Sequence, residues 1–129
     1  MKEVKTGASL TKRMTVTEKE LAVNVGSGDV AVYATPMMLA LMEGTAAQLL
    51  AEFLEEGETS VGTMISSSHL AATPAGMEVT ATATITAAEG RKVSFAVEAS
   101  DEKGLIGEGV HERFVVFKEK FEAKAQAKR

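Results

Sequence analysis

Thr35-Pro36-Met37-Met38-Leu39-Ala40-Leu41-Met42-Glu43-Gly44-Thr45-Ala46-Ala47-Gln48-Leu49-Leu50-Ala51-Glu52-Phe53-Leu54 is the stretch on which the fold turns. Thr35 reads as an N-cap, and Pro36 then occupies the first helical position, where its missing N–H costs nothing. Strong helix formers fill Met37 to Leu54, and Gly57 supplies the C-terminal stop. Apolar side chains lie on nearly every face, so the helix is expected inside the protein. Gly44 interrupts that pattern, weakening the helix or allowing a close backbone contact.

Downstream the period changes from 3.6 to two. Val79, Ala81, Ala83, Ile85 and Ala87 alternate with Thr80, Thr82, Thr84 and Thr86, the mark of a half-buried strand. Glu89-Gly90-Arg91 turns the chain into Lys92–Ser100, where Val93, Phe95, Val97 and Ala99 share a face. A turn at Asp101–Gly104 leads into a strand over Leu105–Phe117, and Thr59–Ala72 forms an earlier one that ends at Thr73-Pro74-Ala75-Gly76. Ala8–Val16 and Val30–Tyr33 are weaker strand candidates, and Lys118–Arg129 is a polar, helix-prone tail. One buried helix followed by consecutive antiparallel strands is an α+β pattern, with the sheet wrapped around one long central helix. Any side of that helix left uncovered calls for a partner subunit, so a homodimer is expected.

At 129 residues the chain is expected to form a single domain over residues 1–129. Its 45% hydrophobic and 25% charged residues are an ordinary globular balance. The absence of cysteine excludes disulfides, iron–sulfur clusters, thiolate zinc sites and cysteine nucleophiles. A formal charge of −4 argues against a nucleic-acid partner. Met1–Lys5 opens no apolar targeting segment. Tyr33–Leu54 is broken by Glu43, Gln48 and Glu52, short of the roughly 20 apolar residues of a membrane span. A soluble, cytoplasmic protein with no membrane partner and no cofactor is expected. His69 and His111 are the only histidines and no carboxylate cluster accompanies them, so no metal site is expected either.

The charges are unevenly spread. No Lys or Arg occurs between Lys19 and Arg91, although half of the acids lie there. An acid buried in that stretch must find its counter-charge near an end of the chain or on another subunit. Glu43 is the foremost case, the only charged residue between Asp29 and Glu52 and set in the middle of the apolar helix. An unpaired carboxylate is costly to bury, and such groups gather at functional sites. Its bland alternative is a side chain facing solvent through an opening in the sheet.

His69 follows Ser66-Ser67-Ser68, an odd composition for the inner face of a strand. The stretch either lines a polar cavity or is an exposed edge. No Gly-x-Ser-x-Gly elbow surrounds these serines, so a serine nucleophile is discounted. Thr35, as a cap, would stand beside free helix N–H groups that favour developing negative charge. Eight residues separate Thr35 from Glu43, a little over two turns and about 12 Å along the axis. A small acyl group fits between them. Arg113, in Gly107-x-Gly109-x-His111-Glu112-Arg113, is a candidate for holding a phosphate or carboxylate, or else pairs with Glu112 or Glu108 on the surface. Gly107-x-Gly109 lies inside a strand and is no dinucleotide fingerprint.

Taken in order, several segments resemble the fluoroacetyl-CoA thioesterase-like group of hot-dog-fold proteins. They are Ala34-Thr35-Pro36-x-Met38 with Leu41-Met42-Glu43; Gly62-Thr63-x-Ile65-x-x-x-His69-x-Ala71-Ala72-Thr73-Pro74-x-Gly76; Gly107-x-Gly109-x-His111-Glu112-Arg113; and Glu119-Lys120-Phe121-x-Ala123-Lys124. The resemblance covers about Tyr33 to Lys124 and implies a hot-dog fold, a homodimer and hydrolysis of an acyl-CoA thioester. It assigns the family's catalytic threonine, glutamate and histidine to Thr35, Glu43 and His69. It also gives Gly62 and Arg113 substrate-binding roles, Gly62 as a backbone donor near the thioester. Glu43 would attack the carbonyl or activate water, while His69 and Thr35 orient the reactants and backbone N–H groups steady the oxyanion. Members selective for fluoroacetyl groups pack aromatic residues near the acyl pocket. Here Val30-Ala31-Val32-Tyr33 approaches the helix and Gly44 follows Glu43, which implies a roomier pocket for a short or medium acyl chain. Two other activities remain open for such a chain: a non-catalytic acyl-CoA-binding dimer, and a dehydratase or isomerase that leaves the thioester intact.

Overall fold

The computed structural model describes residues 1–129. In chain order the elements are β1 (Ser9–Thr15), a 3₁₀ turn (Glu18–Glu20), the one-turn helix α1 (Ala22–Val25), α2 (Thr35–Ala51), β2 (Glu58–His69), β3 (Glu78–Glu89), β4 (Lys92–Asp101), β5 (Gly104–Phe117) and α3 (Lys118–Gln126). The strands form one antiparallel sheet in the order β1-β3-β4-β5-β2. This is the expected α+β architecture, a sheet curled around one long helix, and α2 touches all five strands.

Period two decides which side chains meet that helix. Val79, Ala81, Ala83 and Ile85 of β3 and Val93, Phe95, Val97 and Ala99 of β4 are buried on the inner face, and the threonines between them point outward. α2 answers with Met38, Met42, Ala46, Leu49 and Leu50, a stripe at helical spacing. At about 25 cal/mol per Å² of apolar surface removed from water, this two-layer core is the main stabilising contribution to the fold.

The sheet covers α2 on most sides and leaves one face open, the uncovered side that the sequence allows for. Pro36, Ala40, Gly44, Gln48 and Ala51 face outward and are exposed. Small residues fill that face instead of charges, which is why the sequence shows no polar side. Three boundaries also move. Ala34, not Thr35, is the N-cap of α2, and no side chain caps the helix. The helix ends at Ala51, its last carbonyls taken by the amides of Glu52, Phe53 and Leu54 in a tightened turn. Val30–Tyr33 is not a strand, its only ladder contact being an isolated bridge between Tyr33 and Leu21. The residues before it form the 3₁₀ turn and α1.

Two glycines in β5 explain how β2 and α2 come so near. A Cβ on Gly107 would stand 2.7 Å from the Met38 side chain and 2.8 Å from the Ser68 carbonyl. One on Gly109 would run into the Ser66 carbonyl on the neighbouring strand. Because that obstacle is backbone, the strand itself would have to shift. Gly109→Ala is therefore expected to cost about 1–3 kcal/mol, as overpacking of a close contact does. Urea unfolding reads this directly, and a change under about 0.5 kcal/mol, the ordinary range for a surface substitution, would contradict the packing argument.

Candidate active site

The N-terminus of α2 is fixed before any functional side chain is placed. Tyr33 is buried, its amide bonds the Thr73 carbonyl at 2.8 Å, and its hydroxyl donates to the Met37 carbonyl at 3.2 Å. Burial pushes the Tyr33 phenol up to about 12, so it stays protonated. Ala34 donates to the Glu20 carbonyl at 2.8 Å. Thr35 is thereby held at the first helical position, where its hydroxyl bonds His69 Nδ1 at 2.6 Å instead of capping the helix. Pro36 has no N–H and the amides of Met37 and Met38 both bond the Ala34 carbonyl, so the helix end offers fewer free donors than a capping threonine suggests.

His69 sits at the end of β2. Its Nε2 is buried and has no hydrogen-bond partner. Burial lowers its pKa below the ordinary 6.5, so the ring is neutral near pH 7. Thr35 and His69 line a cleft of about 500 Å³ with Val30, Val32 and Leu70. That volume is in the range of small-molecule sites, and its walls are largely apolar.

Glu43 lies two turns further along α2 and faces the other end of β2. Its side chain is 46% exposed in the single chain, not buried in the core as expected. A carboxylate oxygen stands 3.5 Å from Arg113 Nη1, and the Arg113 side chain is only 8% exposed. The counter-charge thus comes from near the C-terminal end of the chain, as the charge layout demanded, and Arg113 pairs with neither Glu112 nor Glu108. Glu112 instead meets Lys92 at 3.4 Å. The Glu43 carboxylate lies directly over Gly62, where any Cβ would strike it. A β-bulge between Gly62 and Met64 breaks the β2–β5 register at this point.

Arg113 is held by more than Glu43. Its Nε donates to Ser60 Oγ at 2.8 Å and its Nη2 to the Ser60 carbonyl at 2.9 Å. Nη1 is also 3.2 Å from His111 Nε2. A guanidinium only donates, so Nε2 accepts; the Met64 carbonyl, 2.7 Å from Nδ1, only accepts, so the His111 proton is on Nδ1. Burial lowers the pKa of His111, the bond to Met64 opposes this, and the neighbouring guanidinium lowers it further. Its ring stacks on Phe95 with centroids 5.8 Å apart. His111 and Ser60 were not singled out from sequence. The signal for His111 was available, because two-residue spacing places it on the same face of β5 as Arg113.

The five residues singled out from sequence fall into two groups within one chain. Thr35 and His69 form one at the start of α2; Glu43, Gly62 and Arg113 form the other. The chemistry each can do is complementary: a neutral imidazole with a free nitrogen in an apolar cleft, and a carboxylate oriented by a buried cation. Neither resembles a metal centre, and no three His, Asp or Glu residues converge anywhere.

Residues 16–119 match the family described as fluoroacetyl-CoA-specific thioesterase, FlK. A fluoroacetyl-CoA thioesterase of Streptantibioticus cattleyicolor is 47% identical over 97 residues, 75% of this chain and 70% of the relative. A structure of the fluoroacetyl-CoA thioesterase FlK superposes with a TM-score of 0.93 at 37% identity, covering 98% of each chain. A Thermus thermophilus hypothetical protein of the thioesterase superfamily gives 0.92 at 34% identity over 98% of this chain and 94% of its own. The fold and these relatives together define a hot-dog-fold thioesterase, a thioester hydrolase. Within that class the chain belongs to the fluoroacetyl-CoA-specific thioesterase family. No helix is long and apolar enough to cross a membrane.

The two histidines make the electrostatics testable without a substrate. Both folded-state pKa values are depressed, so on acidification the unfolded chain takes up these protons first. Stability should be insensitive to these groups above about pH 6.5 and fall as the pH drops below it toward the lowered folded values. Both imidazoles should titrate below 6.5 by NMR, and urea midpoints should be lower at pH 5.5 than at 7.5. A ring titrating above 6.5 would contradict the burial of that histidine.

Proposed function

We propose that the protein is a homodimeric, cytoplasmic acyl-CoA thioesterase that cleaves a short- or medium-chain acyl-CoA to the free acid and CoA. It uses Thr35, Glu43 and His69 as catalytic residues, Gly62 and Arg113 at the substrate, and no cofactor or metal. The observation that carries the reading is the division of the site. A carboxylate on a buried guanidinium and an imidazole with an unfilled buried nitrogen are what hydrolysis needs, yet Glu43 and Thr35, which bonds that imidazole, are eight residues or about 12 Å apart along α2.

A second copy closes that gap. β2 is a long edge strand whose residues after Glu58, from Thr59 to Ser68, carry no charge, the kind of edge that pairs with another strand. Antiparallel pairing of two β2 strands centred between Ile65 and Ser66 sets Gly62 of one protomer opposite the partner's His69. Glu43 then shares one cleft with the partner's Thr35 and His69, and the exposed half of its side chain is covered.

With the thioester carbonyl over Gly62, the missing side chain lets the carbonyl approach the backbone and Glu43 together. Glu43 either adds to the carbonyl, expelling the CoA thiol and leaving an anhydride that water opens, or takes a proton from a water that adds directly. Both routes consume one water and release acid and thiol. Arg113 holds the carboxylate in place through the ion pair. His69 Nε2 positions the water or returns a proton to the departing thiolate, and the Thr35 hydroxyl fixes the ring. The cleft walls formed by Val30, Val32 and Leu70 take the acyl chain.

Release of free thiol from a panel of acyl-CoAs tests this. Turnover is expected on short or medium chains, and Glu43→Gln should lower kcat by roughly a thousandfold or more with folding and dimerisation intact. No thiol from any acyl-CoA would favour a non-hydrolytic acyl-CoA binder. An altered acyl group still joined to CoA would favour a dehydratase or isomerase.

A further inference from the structure

The strongest cationic feature of the chain takes no part in the site described above. Lys118, Lys120, Lys124, Lys128 and Arg129 are five of the chain's 14 Lys and Arg, and only Glu119 and Glu122 lie among them. The last twelve residues thus carry +3, on a protein whose total is −4. α3 buries no residue, and none of its cations is in an ion pair.

These residues are also sorted by face. At 100° per residue, Lys120, Phe121 and Lys124 of α3, continued by Lys128 just past its end, fall on one side, and Glu119, Glu122 and Gln126 on the other, with Lys118 and Arg129 nearer the second. Phe117 and Phe121 are 49% and 43% exposed, although large apolar side chains are ordinarily drawn inward. Arg91, paired with Glu58 at 3.4 Å, lies over the Phe117 ring, 4.8 Å from its centre.

The helix is also placed to serve the site. Its first amide, from Lys118, bonds the Gly57 carbonyl at 3.0 Å, beside the start of β2. His111, Arg113 and Val115 run along the inner face of β5, and Phe117 ends that row. From Arg113 to Phe117 is about 13 Å at 3.3 Å per residue, within the reach of an extended pantetheine arm.

Resting on the thioesterase reading above, we propose that α3 is the anchor for the nucleotide end of coenzyme A. Lys120, Lys124 and Lys128 meet its 3′-phosphate and pyrophosphate, and its adenine stacks on Phe121. Charge complementarity selects this occupant: the ligand is a polyanion with an aromatic base, and the helix face is polycationic with exposed aromatic rings. A carrier protein brings the same pantetheine arm without the nucleotide, and an anionic lipid surface brings phosphates without the arm. Both are therefore separable in one experiment.

The experiment compares hydrolysis of one acyl group carried on CoA and on pantetheine, by the wild-type protein and by Lys120→Glu/Lys124→Glu/Lys128→Glu. Wild-type KM should be roughly tenfold or more lower for the CoA substrate, and added salt should erode that advantage. The triple variant should lose the advantage while keeping kcat and its pantetheine KM, with an unchanged thermal melt. Adenosine 3′,5′-bisphosphate should compete with the CoA substrate in the wild type only. Equal KM values for the two carriers, or an unaltered triple variant, would overturn the anchor and leave the thioesterase intact. So would α3-dependent binding to anionic vesicles or to an acidic carrier protein without competition by the bisphosphate. If neither substrate releases thiol, the thioesterase reading fails, and calorimetry of adenosine 3′,5′-bisphosphate with both proteins decides the anchor alone. Binding lost in the variant supports it, and no binding to the wild type overturns it.

Discussion

A carboxylate and a guanidinium meet where a strand has no side chain, and much of the molecule is arranged around that meeting. Glu43 reaches Arg113 across α2 and β5 because position 62 of the intervening strand is glycine. Arg113 is nearly buried, and a buried cation without a partner costs several kcal/mol. The ion pair, the two bonds to Ser60 and the bond to His111 spread that cost over three elements. His111 contributes only as a neutral ring with its proton on Nδ1, which ties the cation to the Met64 carbonyl at the β-bulge. The cluster couples β2, β5 and α2 electrostatically, in addition to their apolar packing.

That cluster alone is half of a hydrolytic site. The other half, Thr35 and His69, sits at the opposite end of β2 against an apolar cleft. The same edge strand supplies a residue to each half and is itself unpaired on its outer side. In the proposed dimer these facts have one cause: pairing of two β2 strands satisfies the edge, covers the carboxylate and brings the halves together. The exposed small residues of α2 and the free cations of α3 lie outside that arrangement, and only the latter carry a chemical signature of their own.

Much of this was legible in the sequence, and the failures have physical reasons. The Thr/Ala alternation of β3 and the Val/Phe alternation of β4 fixed both strands and their buried faces, because a period of two leaves no other way to bury them. α2 was visible from Pro36 and its run of helix formers. Which face stays open is not legible, because alanine and glycine on the outer face look apolar without needing to be inside. Thr35 before a proline reads as a cap, but the nearby imidazole claims its hydroxyl, a competition that only the fold reveals. Val30–Tyr33 has strand-like residues and no open neighbour to pair with, since β1 meets β3 instead. Glu43 stands out as a charge in apolar company, but its partner Arg113 lies 70 positions away, beyond any local pattern. The overall resemblance to the thioesterase family survived these local errors because it rested on an ordered set of positions and not on any one of them.

Mixing two inactive proteins shows whether one working site takes Glu43 from one chain and Thr35 with His69 from another. Glu43→Gln and His69→Ala chains are unfolded together, refolded and assayed for thiol release. If the site spans the interface, each mixed dimer holds one intact site, and random pairing restores roughly a quarter of wild-type activity. If all three residues act within a single chain, every site in the mixture stays broken and no activity returns, which rules out a site shared between protomers.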